Sequence, residues 1–114
     1  MPDIKTVLLV EDNDDSRALF RHILEDRGFN VLDYAHAECL PNPPPHYHLA
    51  LLDQQLGLGR ETGLHLASRL KQHAPHTPIV LMSADVISTA HPQVNDIVQK
   101  AGISTLMSVI QQWL

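Results

Sequence analysis

Three hydrophobic runs in this chain each stop on residues able to do chemistry. Thr6 to Val10 runs into Glu11 and Asp12, His48 to Leu52 into Asp53, and Ile79 to Met82 into Ser83. Crowded carboxylates repel one another and stay ionised only beside a cation, a lysine or ample water. Asp53, at the end of the second of these runs, is the partner that the cation reading of Glu11 and Asp12 requires. Asp14 and Asp15 are read as solvated or helix-capping.

The elements that must carry these residues can be traced in order. Thr6 to Val10 is nearly continuous, apolar and rich in β-branched residues, which fits a strand buried on both faces of a parallel sheet. Leu19, Phe20, Ile23 and Leu24 recur at helical spacing, so a helix is expected from about Asp15 to Arg27, capped by Ser16 and stopped at Gly28. Phe29 to Tyr34 alternates and reads as a second strand. Ala35 to Leu40 leaves room for little helix before Pro41, and Pro43, Pro44 and Pro45 form a rigid connector. Tyr47 to Leu52 is the third strand, followed by a loop expected to be mobile from Gln54 to Thr62. Gly63 precedes an amphipathic helix with Leu64, Leu66, Ala67 and Leu70 inward and Arg60, Arg69 and Lys71 outward.

Ile79 to Met82 is the fourth strand. Helical signal is poor from Ala84 to Gln93, where Pro92 limits any helix to about Ile87 to His91. Val94 to Gln99 is a short fifth strand followed by Lys100, and Ser104 is expected to cap a last helix that turns Leu106, Val109, Ile110 and Trp113 to the sheet. The alternation predicts an α/β, doubly wound parallel sheet of five strands, taken here in the flavodoxin-like order 2-1-3-4-5. Its crossovers are right-handed, helices cover both faces, and the fourth helix is short or absent. That order sets Asp12 beside Asp53 at the carboxyl edge, where open α/β sheets bind ligands.

Bulk properties exclude several classes. A chain of 114 residues is expected to form one domain, residues 1–114, with its output through its own surface. A net charge of -5 without a Lys/Arg cluster gives no support to nucleic-acid binding. Cys39 is alone, which rules out an intrachain disulfide, and it reads as a semi-buried small hydrophobe. The eight histidines form no compact ligand motif and read as dispersed and solvated. No run is long enough for a membrane span, and Met1 to Lys5 lacks a signal-peptide pattern, so a cytoplasmic location is expected.

Over essentially its whole length the chain resembles the receiver domain of two-component response regulators. VLLVEDN (Val7 to Asn13) is similar to that family's acidic-pair strand, LALLD (Leu49 to Asp53) to its phosphoacceptor strand, and PIVLMSA (Pro78 to Ala84) to its hydroxyl strand; Lys100 falls at the family lysine. Each motif alone is weak, but four in the right order at strand ends are strong. The resemblance implies that Asp53 is the phosphoacceptor nucleophile. It makes Glu11, Asp12, Asp53 and the main-chain carbonyl of Gln55 the ligands of Mg²⁺, a hard ion that prefers oxygen. Lys100 would pair with one phosphoryl oxygen and the Ser83 hydroxyl with another, offsetting the negative charge that phosphoryl transfer brings to a carboxylate. The implied partners are a histidine kinase or histidine phosphotransfer protein, docking near Ala18, Leu19 and His22, and a downstream protein target.

The chain departs from the family in ways that bear on readout. Gly57 stands where a proline is usual, and Gly63 opens its helix late, enlarging the loop that carries Gln54, Gln55, Arg60 and Glu61. The stretch between Ser83 and Lys100 is short, Ile97 holds the switch position usually given to an aromatic, and Ala101 replaces the customary proline. The phosphorylation site reads as intact and the output surface as remodelled. Two rival readings follow. One is a phosphorylation-independent pseudo-receiver interaction domain. The other is a small phosphohydrolase with an aspartyl nucleophile, which lacks its general acid because Gln55 occupies that position. Neither self-phosphorylation nor autodephosphorylation makes the expected domain an enzyme with a diffusible substrate.

Overall fold

The computed structural model describes residues 4–57, 61–84, 94–100 and 102–114. Five strands, β1 (Thr6–Val10), β2 (Asn30–Tyr34), β3 (Leu49–Asp53), β4 (Ile79–Ser83) and β5 (Asp96–Gln99), form one sheet in the order β2-β1-β3-β4-β5. All four pairings are parallel, with Val10 opposite Leu52, Asp53 opposite Met82 and Ser83 opposite Gln99. The flavodoxin-like α/β architecture expected from the sequence is therefore the one observed.

Alternation along the strands builds a core on each face, as a parallel sheet covered on both sides requires. Val7, Leu9, Leu49, Leu51, Val80, Met82 and Val98 pack beneath α1 (Asp14–Asp26) and α3 (Ile103–Trp113), which contribute Phe20, Leu24, Leu106, Met107 and Ile110. On the other face Leu8, Val10, Ala50, Leu52, Ile79 and Leu81 meet Leu66, Ala67 and Leu70 of α2 (Gly63–His73). Ala37, from a 3-10 turn over Ala37–Cys39, and Tyr47 close that second core.

Several local expectations are corrected. Asn13, not Ser16, caps α1: its side chain accepts the Ser16 N–H, because an extended asparagine one residue before the helix meets the orphan donors of the first turn. Ser104 lies inside α3, which follows Gly102 without a side-chain cap. Met107 takes the inward place expected for Trp113, which is 37% exposed where the helix ends. Lys71 turns back from the surface, its Nζ donating to the Thr77 carbonyl and Asn95 Oδ1, both at 2.8 Å. Cys39 is exposed in its 3-10 turn rather than semi-buried. Leu58, Gly59, Arg60, the Ile87 to His91 stretch with Pro92, and Ala101 lie outside the described residues.

Candidate functional site

The carboxyl edge of the sheet gathers the chemistry-bearing residues. Glu11 and Asp12 follow β1, Asp53 ends the neighbouring β3, Ser83 ends β4 and Lys100 follows β5. Oxygens of Glu11, Asp12 and Asp53 lie within 4.8 Å of one another, Glu11 and Asp53 buried and Asp12 half-buried. Among the described residues this is where three potential metal-ligating side chains meet, and no histidine takes part. Histidines instead serve local structure: His48 Nδ1 accepts the Thr6 N–H at 2.9 Å, and His36 Nδ1 meets the Leu56 carbonyl at 3.0 Å.

Lys100 supplies the compensating charge. Its Nζ lies 2.5 Å from Glu11 Oε1 and 3.0 Å from Asp53 Oδ2. The lysine is placed by its own backbone, whose N–H donates to the Ser83 carbonyl at 2.8 Å. The other carboxylate oxygens are held by main-chain amides, Glu11 Oε2 by Asn13 and Asp53 Oδ1 by Gln55. Gln55 is exposed and its N–H turns back on Asp53, so the chain bends sharply after β3. Ser83 is 5% exposed at the tip of β4, on the strand next to Asp53.

The charges do not balance. Two buried carboxylates and a third beside them face one ammonium, and desolvation penalises the charged form of Glu11. Burial, joined by hydrogen bonding to Asp53, pushes the Glu11 carboxyl up to about 7 against the pull of Lys100 and the Asn13 amide. Burial alone would lower the Lys100 pKa, but its bonds to Glu11 and Asp53 outweigh that and leave it raised. The residual negative charge, the all-oxygen donor set and its compactness fit a small hard divalent cation, and the cluster is poised for Mg²⁺.

Positioning residues complete the site. Gly63 is the start of α2 because the helix meets the Asp53 backbone there: a Cβ would sit 2.3 Å from the Asp53 carbonyl oxygen. The Gly63 and Leu64 amides donate to the Gln54 main-chain and side-chain oxygens, so the residue after Asp53 holds the helix in place. Leu56, 1% exposed, anchors the following loop in the core. Ala18, Leu19 and His22 are all exposed on α1, and a groove of about 390 Å³ lined by Ser16, Leu19, Phe20, Ala84, Lys100 and Ile103 runs from that helix to the site. Sequence reading passed over Asn13 and Arg17. An asparagine before Asp-Asp-Ser is a helix-start signal, and an arginine one turn into that helix can reach back to the loop that precedes it.

Comparisons with known proteins agree with this geometry. The family model described as the response regulator receiver domain matches residues 7–111. Among solved structures, the response regulator TrrA from Thermotoga maritima, in complex with Mg²⁺ and BeF, superposes with a TM-score of 0.86 at 20% identity, covering 97% of this chain and 100% of that one. Chemotaxis protein CheY4 of Vibrio cholerae gives 0.86 at 19% identity, with 98% and 100% coverage. NtrX from Brucella abortus, in complex with ADP, gives 0.83 at 26% identity over 98% of this chain but 27% of its own length.

Proposed function

The chain belongs to the response regulator receiver domain family, and on that footing we propose that it accepts a phosphoryl group on Asp53 and relays the signal through protein contacts. The observation that carries this reading is the Asp53 carboxylate, buried at a strand tip and held between the Lys100 ammonium and the Glu11–Asp12 acids. Glu11, Asp12 and Asp53 would hold Mg²⁺, with the Gln55 carbonyl as a further ligand, and the bound ion supplies charge neutralisation for the transferring group.

In this reading a histidine kinase or a histidine phosphotransfer protein is the donor. Asp53 attacks the phosphorus, the P–N bond breaks as the P–O bond forms, and the leaving imidazole takes a proton from solvent. Lys100 is already within contact distance of Asp53 and follows the charge onto a phosphoryl oxygen; Ser83, one strand away, donates its hydroxyl to another. The groove between Leu19 and Ile103 opens beside Lys100, which suits a donor helix presenting its phosphohistidine. The chain acts as a single receiver domain and a switch rather than an enzyme turning over a diffusible substrate. No described helix is long and apolar enough to cross a membrane, and a cytoplasmic site of action accords with a kinase partner.

The test is intact-mass spectrometry after incubation with acetyl phosphate and Mg²⁺. One phosphoryl adduct is expected, absent from Asp53→Asn and from an EDTA control. An adduct that survives in Asp53→Asn would place the acceptor elsewhere. Absence of both an adduct and beryllofluoride binding would favour the phosphorylation-independent module.

A further inference from the structure

We infer that Arg17 is a positioning residue for the metal site, setting the peptide between Glu11 and Asp12 and with it the aim of the Asp12 carboxylate. This rests on the Mg²⁺ reading above. Arg17 lies in the first turn of α1 with its side chain 19% exposed. Its Nη1 donates to the Glu11 carbonyl at 2.9 Å, its Nη2 to Asp14 Oδ1 at 2.6 Å, and its Nε lies 3.5 Å from Asp33 Oδ2 on β2. One planar guanidinium thus ties the loop after β1 to α1 and to the edge strand, a task its rigid fork suits and an ammonium does not.

The surrounding bonds leave this loop little other freedom. The Glu11 N–H donates to the Tyr34 carbonyl, so with Arg17 on its C=O both backbone groups of Glu11 are held. Asn13 is held three ways: its N–H donates to Glu11 Oε2, its side chain caps α1, and its carbonyl accepts the Arg17 N–H. Asp12 sits between these two fixed residues, half-buried, with its carboxylate within ligand distance of Glu11 and Asp53. Arg17 holds the one peptide bond that joins Glu11 to Asp12, and outer contacts of this kind orient metal ligands.

The sign of the effect separates positioning from charge. Arg17 is a cation close to an acidic site, so if it acted through charge alone its removal would strengthen binding of a divalent cation. If it positions the loop, removal weakens binding. The measurement is Mg²⁺ titration of the unphosphorylated protein by calorimetry for wild type, Arg17→Met, Arg17→Lys and Arg21→Met. Arg21 carries the same charge on the same helix but contacts Asp33 and Glu25, not the loop after β1.

Expected are affinity about 10-fold weaker in Arg17→Met, a smaller loss in Arg17→Lys, and no loss in Arg21→Met. Hydrogen exchange at the Asn13 amide in metal-free protein should quicken in Arg17→Met and not in Arg21→Met. Unchanged or tighter binding by Arg17→Met, or equal losses in Arg17→Met and Arg21→Met, would overturn the inference. If Arg17→Met does not fold, Arg17→Lys decides, since it keeps the charge and a charge-only role predicts wild-type affinity. Failure of the wild type itself to bind Mg²⁺ would overturn the metal reading and this inference with it, a result distinct from any confined to the variants.

Discussion

Lys100 Nζ lies 2.5 Å from Glu11 Oε1, joining the end of edge strand β5 to the end of β1 across the two strands between them. In the metal-free site the lysine is therefore shared between Glu11 and Asp53, rather than reserved for either carboxylate. Glu11, Asp12 and Asp53 would hold a divalent cation, whose charge would supply part of that compensation and leave the ammonium to Asp53.

Replacing Lys100 with methionine leaves Glu11 and Asp53 buried without their cation. Breaking a buried pair typically costs ~3–5 kcal/mol, and because Lys100 is itself 22% exposed we expect about 2–3 kcal/mol at neutral pH. Urea unfolding without metal measures it. Addition of Mg²⁺ should recover part of the loss, and a variant as stable as wild type would show that the lysine does not balance these acids.

Asp53→Asn should behave differently. It removes one buried charge and one of the groups that raise the Glu11 pKa, while Lys100 keeps its contact with Glu11. Stability without metal is expected to stay within about 1 kcal/mol of wild type or to rise slightly. A clearly lower unfolding midpoint would contradict the crowded-acid account, whereas weaker Mg²⁺ binding is expected because a ligand is lost.

The pH dependence has a defined direction. Folding raises the Glu11 carboxyl from 4.5 to about 7, so between those values the folded chain holds a proton that the unfolded chain has released. This contribution to stability is present at low pH and is lost as pH rises through the window of about 4.5 to 7. The raised Lys100 pKa acts only at higher pH, where its stabilisation is lost above the ordinary value of 10.5. Thermal unfolding of the metal-free protein should show the decline, and Glu11→Gln should flatten it. An equal decline in Glu11→Gln would assign the effect to another group.

Gly63→Ala tests the contact between α2 and β3. The added methyl would meet the Asp53 carbonyl oxygen at 2.3 Å and Leu81 Cδ1 at 2.9 Å, so the helix must move away from the Asp53 backbone. Overpacking against main chain should cost about 2–3 kcal/mol and slow phosphorylation by acetyl phosphate. Stability like that of wild type would mean that α2 shifts freely, and the Gln54 bonds to Gly63 and Leu64 would then carry no positional role.

Much of this protein is legible from its chain alone. The runs ending at Glu11, Asp53 and Ser83 are strands because continuous apolar, β-branched segments must be buried on both faces, and the acids at their ends lie at one sheet edge because parallel strands all point the same way. The alternation of strand and helix sufficed for a doubly wound parallel sheet, and the motif order for the family and with it the strand order. Helix starts were read less well, as Asn13 and Gly102 show, because neighbouring residues compete for the same orphan amides and only the backbone path chooses among them.

Tertiary structure decided what passes between strand tips. That Lys100 serves Glu11 as well as Asp53, that Glu11 resists ionisation, and that Arg17 holds the Glu11 carbonyl all depend on register, burial and distances of a few ångströms. Such quantities have no counterpart in a one-dimensional pattern. Residue types state which groups can ionise or donate, but the strength of a charge interaction is set by separation and by how much water remains, and both exist only once the chain has folded.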